Sequence, residues 1–442
     1  MSPSIATVVY GVVILALLLL DRDRKSRVSP ALWIPVAWLS ISASRMVSQW
    51  LGVGPAMESP NQLLEGSPLD ALIFSGLLAA GLMVLLARRR HAGTFLRGNG
   101  PLVVFLLYCA VSVLWSDYPS VAFKRWTKTL GDVVMVLVVL TDPDPSAAVK
   151  RLLARSGFLL IPLSILLIKY YPDLGRTYSP WTGTPYNIGV ATGKNGLGFV
   201  CLIFGLGSLW RVLEALHNAE RPRVAGPLIA HGALLAMAGW LFYMADSATS
   251  LACFLVGGGL IVVTSRPGLV RNPTTVHFLV GAVLFLALYG LLLNPGAGLV
   301  QAMGRDATLT GRTALWNQLL RIPVDPLFGS GYESFWLGDR VEKFWKIFWW
   351  HPNQSHNGYL EVYLNLGLTG LALLGLVMAW GYRNIVRAFR RDPEAARLRL
   401  AYFVVAAVYN LTEAAFRELH PVWIVFLLAV IVVPEALSRE DE

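Results

Sequence analysis

Ile5-Ala-Thr-Val-Val-Tyr-Gly-Val-Val-Ile-Leu-Ala-Leu-Leu-Leu-Leu20 runs straight into Asp21-Arg-Asp-Arg-Lys-Ser-Arg27. The first stretch carries no charge, and the four basic residues all follow it. A secretory signal places its positive charge before the apolar run. The reversed order predicts a retained first membrane helix with its N-terminus outside. Working outward, the same alternation recurs along the chain. Apolar runs are expected at 4–20, 31–51, 70–87, 101–116, 121–140, 155–171, 196–213, 226–245, 248–264, 276–293, 357–381, 399–415 and 421–436. One span needs about 20 residues.

Composition agrees with this segmentation. Of 442 residues, 55% are hydrophobic and 14% charged, against roughly 45–50% and about 25% in a soluble domain. Mean hydropathy is +0.56. A soluble enzyme, a disordered scaffold and a fibrous repeat are excluded, because so much apolar surface needs a bilayer. The net charge of +10 could suggest nucleic acid. The basic residues instead cluster in short loops, with four at 22–27, four at 88–97, three at 150–155, three at 211–223 and six at 383–399. They read as topology signals that place these loops in the cytoplasm, and no nucleic acid partner is expected. Cys109, Cys201 and Cys253 all lie in apolar segments and read as buried free thiols.

The expected fold is all-α, a polytopic membrane helix bundle with one long helical loop on the outer side. N-terminal helices span 1–293 and include an outer loop at 172–195. The long loop covers 294–356, and C-terminal helices cover 357–442. No internal repeat is visible, whereas a transporter of inverted repeats should show matching halves. Lys124, Arg125 and Lys128 fall near or within the fifth span. They are expected to snorkel to the outer interface, with contact to an anionic substrate as the alternative.

Inside the long loop, Thr310-Gly-Arg-Thr-Ala-Leu-Trp-Asn-Gln-Leu-Leu-Arg-Ile322 predicts a short amphipathic helix with Thr310 as N-cap. Pro323-Val-Asp-Pro-Leu-Phe-Gly-Ser-Gly331 is turn chemistry. The aromatic and basic run 339–350 reads as an interfacial helix or as rings stacked on sugar faces. His356 falls at the outer mouth of the following span. There it could accept a hydroxyl proton or simply cap the helix. Glu361 lies near enough to support it or to be structural. Asp142 and Asp144 resemble a metal pair on paper but fall on the cytoplasmic side, and no metal is expected.

Taken in order, Gly311-Arg312 with Trp316, Pro326-Leu-Phe-Gly-Ser-Gly331, His356-Asn357-Gly-Tyr-Leu and Asn365-Leu-Gly-Leu-Thr-Gly370 resemble the O-antigen ligase and O-antigen or exopolysaccharide polymerase superfamily. An earlier outer loop adds Arg176-Thr-Tyr-Ser-Pro-Trp-Thr-Gly183 and Gly193-Lys194-Asn195-Gly-Leu-Gly198. The resemblance covers roughly 172–375. It implies a GT-C-like glycosyltransferase of the bacterial inner membrane, working on the periplasmic side without a cofactor. Twelve spans are expected of the ligases, against the thirteen segments counted here. The implied donor is a polyprenyl-diphosphate-linked glycan and the implied acceptor is lipid A-core or another glycan. Ligase and polymerase remain alternatives, and a lipid-linked-sugar transporter is the non-enzymatic reading. Through the matched motifs, Arg176, Arg312 and Lys194 are expected to bind the diphosphate. His356 would orient or deprotonate the acceptor hydroxyl, and Asn357, Asn195, Trp316 and Glu361 would support it. Arg176, Arg312 and His356 should then converge on one outward-facing cavity.

Overall fold

The computed structural model describes residues 1–442 apart from 24–25, 54–65, 89–94, 96–97, 180–182, 218–224, 267, 269–271, 294–311 and 433–442. The expected N-cap Thr310, Gly311 and the first part of the long loop lie outside the described residues. So does the end of the thirteenth segment.

Proline and its neighbour decide many of the helix starts. Ser2-Pro3, Ser67-Pro68, Asp144-Pro145 and Asp392-Pro393 each open a helix. The preceding side chain accepts a backbone N–H, and proline takes a position whose N–H has no helical partner. The helices are α1 (Pro3–Leu20), α2 (Trp33–Ser42), α3 (Pro68–Ala87), α4 (Gly100–Ser112), α5 (Pro119–Leu140), α6 (Pro145–Tyr170), α7 (Lys194–His217) and α8 (Ala225–Ala245). They continue with α9 (Ala248–Thr264), α10 (Pro273–Leu293), α11 (Arg312–Leu319), α12 (Gly338–Ile347), α13 (Gly358–Ala388), α14 (Pro393–Tyr409) and α15 (Pro421–Val430). A two-stranded antiparallel hairpin, β1 (Arg176–Tyr178) and β2 (Pro185–Asn187), interrupts the helical pattern between α6 and α7.

The chain is a polytopic all-α membrane protein. Each expected apolar run coincides with a helix or a pair of short helices. Among the described residues, seven helices are long and apolar enough to cross a membrane, and four apolar helices are shorter. α5 and α14 carry several charges inside otherwise apolar sequence. The bundle centre is α6 and α7, on which α8, α9, α14 and α15 pack. In α1 and α3 only 11% of the apolar window is buried, against 78% in α6. The outer helices therefore turn apolar surface outward, as contact with lipid requires.

Helix ends alternate between two faces. At one face Arg45 donates to the carbonyl of Gly189, Asn187 to that of Met244, and Asn195 Nδ2 to Glu413. At the other, Arg88 pairs with Asp142, Arg211 with Asp21, and Arg397 Nε donates to the Thr264 carbonyl. Asp142 is also taken up by the Ser29 amide.

At the first face, α11 and α12 fold back on the bundle. Leu315, Leu319, Phe335, Val341, Phe344 and Leu364 form an apolar cluster separate from the main core. The aromatic run 339–350 divides between the two environments. Val341 and Phe344 are buried against the protein's own loop, while Ile347 and Trp349 stay exposed.

A further tie explains two of the glycine-rich motifs. At Gly367, φ is 64° and ψ −165°, so α13 breaks there. The segment 326–331 crosses the break. Leu368 N–H donates to the Pro326 carbonyl (2.8 Å), and Ser330 N–H to that of Leu364 (3.1 Å). A Cβ at Gly367 would lie 2.3 Å from the Leu327 carbonyl carbon, and one at Gly329 would lie 2.5 Å from Asn365 backbone. Only glycine allows this approach. The two motifs interlock and set the register of α13.

Candidate active site

The start of α13 is fixed to the turn after α14. Gly358 N–H donates to the Asn410 carbonyl (2.8 Å) and to that of Glu413 (3.0 Å). Asn410 shapes the turn, since its Oδ1 accepts from Ala415 and Phe416 N–H. Asn357 caps α13 by accepting from Tyr359 and Leu360 N–H, and its Nδ2 donates to the Leu411 carbonyl. Glu361 Oε2 accepts from Ser355 N–H at 2.8 Å, and Trp316 Nε1 donates to the Ser355 carbonyl at 2.7 Å. Residues 355–358 are thus held from three sides, and His356 adopts a positive φ of 53°.

This anchoring brings His356 to Glu413. Nδ1 of the imidazole lies 3.4 Å from Oε2 of the carboxylate. Oε1 accepts from Arg312 Nη2 (2.8 Å) and from Asn195 Nδ2 (2.8 Å), and Arg312 also donates to the Thr412 carbonyl. Ser247 Oγ donates to Asn195 Oδ1 (3.3 Å), which orients that amide. Burial pushes the Glu413 carboxyl up. The His356 hydrogen bond and the Arg312 charge outweigh burial and hold it below the usual carboxylate range. An ionised Glu413 favours the tautomer with the proton on Nδ1, which leaves Nε2 as the acceptor.

A cavity of about 870 Å³ opens on the Glu413 side of this pair, with Glu413 and Gln354 in its wall and His356 and Arg312 behind them. Lys124, Arg125 and Lys128 of α5, Lys194 and Asn195 of α7, and Glu413, Arg417 and Glu418 of the 410–420 turn line it. Five cations thus face two carboxylates, one of which is already matched by Arg312. Behind Arg417, a buried acidic group packs on the other side. Burial first, then Glu418, raises the Glu333 carboxyl to about 8. Burial lowers the Arg417 guanidinium, and the stronger pull of Glu333, Glu418 and Glu361 raises it overall.

Arg312, His356 and Asn195 meet on Glu413, and Lys194 lines the adjoining cavity while pairing with Asp246 at 3.7 Å. Arg176 is placed differently. It lies on β1, exposed, and its Nη2 donates to the Ile168 carbonyl at the end of α6. Its neighbours Thr177 and Tyr178 line the cavity instead. Arg312 makes its ion pair with Glu413. His351 stacks on Trp345 at 4.5 Å, and neither His351 nor Glu361 bonds Glu413.

Sequence reasoning missed Glu413, Arg417 and Glu418. Glu413 falls inside the twelfth apolar run, 399–415. An acidic residue at the end of such a run was the available signal. Lys124, Arg125 and Lys128, expected at the outer interface, line the polar cavity.

Residues 233–375 match the family described as O-Antigen ligase. The resemblance to O-antigen ligases and polymerases therefore holds. "Exopolysaccharide production protein ExoQ" of Rhizobium meliloti (strain 1021) is 27% identical over 303 residues, 66% of this chain and 67% of that protein. The O-antigen ligase stretch contains Arg312, Trp316 and His356. Glu413 and the α5 cations lie outside it. A carboxylate–imidazole pair beside a cationic cavity has the parts for proton removal and anion binding.

Proposed function

We propose that the chain is a glycosyltransferase that moves a glycan from a polyprenyl diphosphate carrier to a sugar hydroxyl. The observation that carries this reading is the pairing of His356 with ionised Glu413 beside a cavity rich in cations. The acceptor oxygen attacks the anomeric carbon as the bond to the diphosphate breaks. The hydroxyl proton passes to His356 Nε2, and Glu413 stabilises the resulting imidazolium. Attack opposite the leaving group inverts the anomeric centre. The diphosphate departs with its electron pair, and the cavity cations offset its charge. Arg312 acts mainly by holding Glu413, so the diphosphate role passes from Arg176 and Arg312 to the cations of the cavity.

The same reading puts the site on the periplasmic face of the inner membrane. The face opposite the site ends in the more strongly basic loops, which the positive-inside rule assigns to the cytoplasm. The family match favours an O-antigen ligase type of transfer. The ExoQ relative favours a polymerase that extends an exopolysaccharide. A deletion strain complemented with His356→Ala tests the chemistry and the acceptor together. Long glycan missing from lipid A-core identifies a ligase. A missing free polysaccharide with intact core identifies a polymerase. Full rescue by His356→Ala overturns the role of the histidine.

A further inference from the structure

Next to the cationic cavity lies a second, mostly apolar cleft of about 460 Å³ between α2, α3 and α5. Trp38 and Phe74 line its depth, and Leu78 and the exposed Ala71 its wall. Met46, Gln49, Gly66, Lys124 and Lys128 line both spaces, so the cleft and the cavity adjoin along one lip. Its wall α3 stands at the perimeter of the bundle, with 11% of its apolar window buried. The cleft therefore borders the bilayer at the end of α3 nearest the site.

Lys124 and Lys128 are one turn apart on α5 and share one side of it. Neither makes an ion pair among the described residues. Ammonium groups on a membrane helix are costly when unmatched. Asp70, the carboxylate in the cleft, is occupied by the Ser48 N–H at 2.9 Å. An apolar slot walled by a helix that turns apolar surface outward, ending in two lysines without an ion pair among the described residues and then in a polar cavity, is complementary to one class of molecule. That molecule is a long isoprenoid with a diphosphate head.

We propose that the carrier lipid enters sideways between α3 and α5. Its first isoprene units lie in the cleft against Ala71, Phe74 and Leu78, and Lys124 and Lys128 hold its diphosphate at the lip. The glycan then projects into the cavity toward His356. This assignment rests on the donor reading above and adds the route and the residues that recognise the lipid.

Binding to the full-length protein in nanodiscs tests it, with undecaprenyl diphosphate and inorganic diphosphate as probes. Lys124→Ala and Lys128→Ala should each weaken both probes by about tenfold, the scale of one lost charge-assisted contact. Ala71→Trp fills the cleft from an exposed position on its wall, and Ser75→Trp does the same one turn on. Each should weaken the lipid by about tenfold and leave inorganic diphosphate unchanged. Unaltered lipid binding in both tryptophan variants overturns the cleft, and unaltered binding in both lysine variants overturns the head-group assignment. Either result leaves the transferase reading intact if His356→Ala still abolishes transfer. Failure of the wild-type protein to bind undecaprenyl diphosphate overturns both.

Discussion

Glu413→Gln isolates the charge of the group on which Arg312, Asn195 and His356 converge. The substitution keeps the shape and one acceptor oxygen, so Arg312 and Asn195 can still donate to it. What disappears is the negative charge facing His356 Nδ1 and the reason for the proton to reside there. Side-chain exposure is 15% for Arg312 and 8% for Glu413, so solvent screens this pair little. Removing one partner of a buried pair outright costs about 3–5 kcal/mol. Keeping the oxygen reduces the loss to about 1–2 kcal/mol. The protein should therefore remain folded. General-base assistance is worth about 10²–10⁴ in rate, and the expected loss of turnover is at least about 10²-fold, close to 2.7 kcal/mol of barrier. The assay is transfer of labelled glycan in nanodiscs, with a thermal melt of the same preparation. Donor binding should change little, because the lysines of α5 are untouched. Activity within twofold of wild type in a normally melting protein would refute the pairing. The same variant carries a pH signature. Folding holds the Glu413 carboxyl below its usual range. Its contribution to stability is complete above the unfolded value near 4.3 and is lost as pH falls through the lower folded value. Glu413→Gln should flatten that acid limb, and an unchanged limb would count against it.

Three further outcomes follow from the same geometry. Gly358→Ala places a Cβ 1.8 Å from Asn410 Oδ1. It should cost about 1–3 kcal/mol and displace His356, so melting temperature and turnover both fall; a silent substitution would mean the turn is not anchored there. Glu333 is raised to about 8, so the fold favours its protonated form, and stability is lost as pH climbs from the unfolded value toward 8. Glu333→Gln should remove that loss, so the gap in melting temperature between wild type and variant should widen from pH 5 to pH 8 and change little above it. Trp316→Phe removes the indole donor to Ser355 and should cost about 1 kcal/mol, read as a melting shift with a smaller fall in turnover than His356→Ala.

The extent to which the site was legible differs by residue. His356 and Arg312 stood out because they sit in short motifs beside turns, and local sequence carries that kind of signal. Glu413 did not, because an apolar run of about twenty residues absorbs one acid at its end without altering its period. The α5 lysines were visible as costly charges, but their destination was not. Arg176 is the opposite case. It matched a motif, but its guanidinium is held by the end of α6, because the hairpin places its neighbours in the cavity and turns Arg176 away.

The sequence by itself determined the segmentation into apolar helices, their alternation between two faces and the proline-capped starts. Each depends on residues within one turn or one span of each other, through hydrogen-bond capping and transfer from water to lipid. Only the tertiary structure decided that Glu413 bridges Arg312 and His356, and that α5 delivers its lysines to the rim of an apolar cleft. Those pairings join residues 57 to 101 positions apart. They are set by how the helix ends pack at one face, which no local pattern encodes.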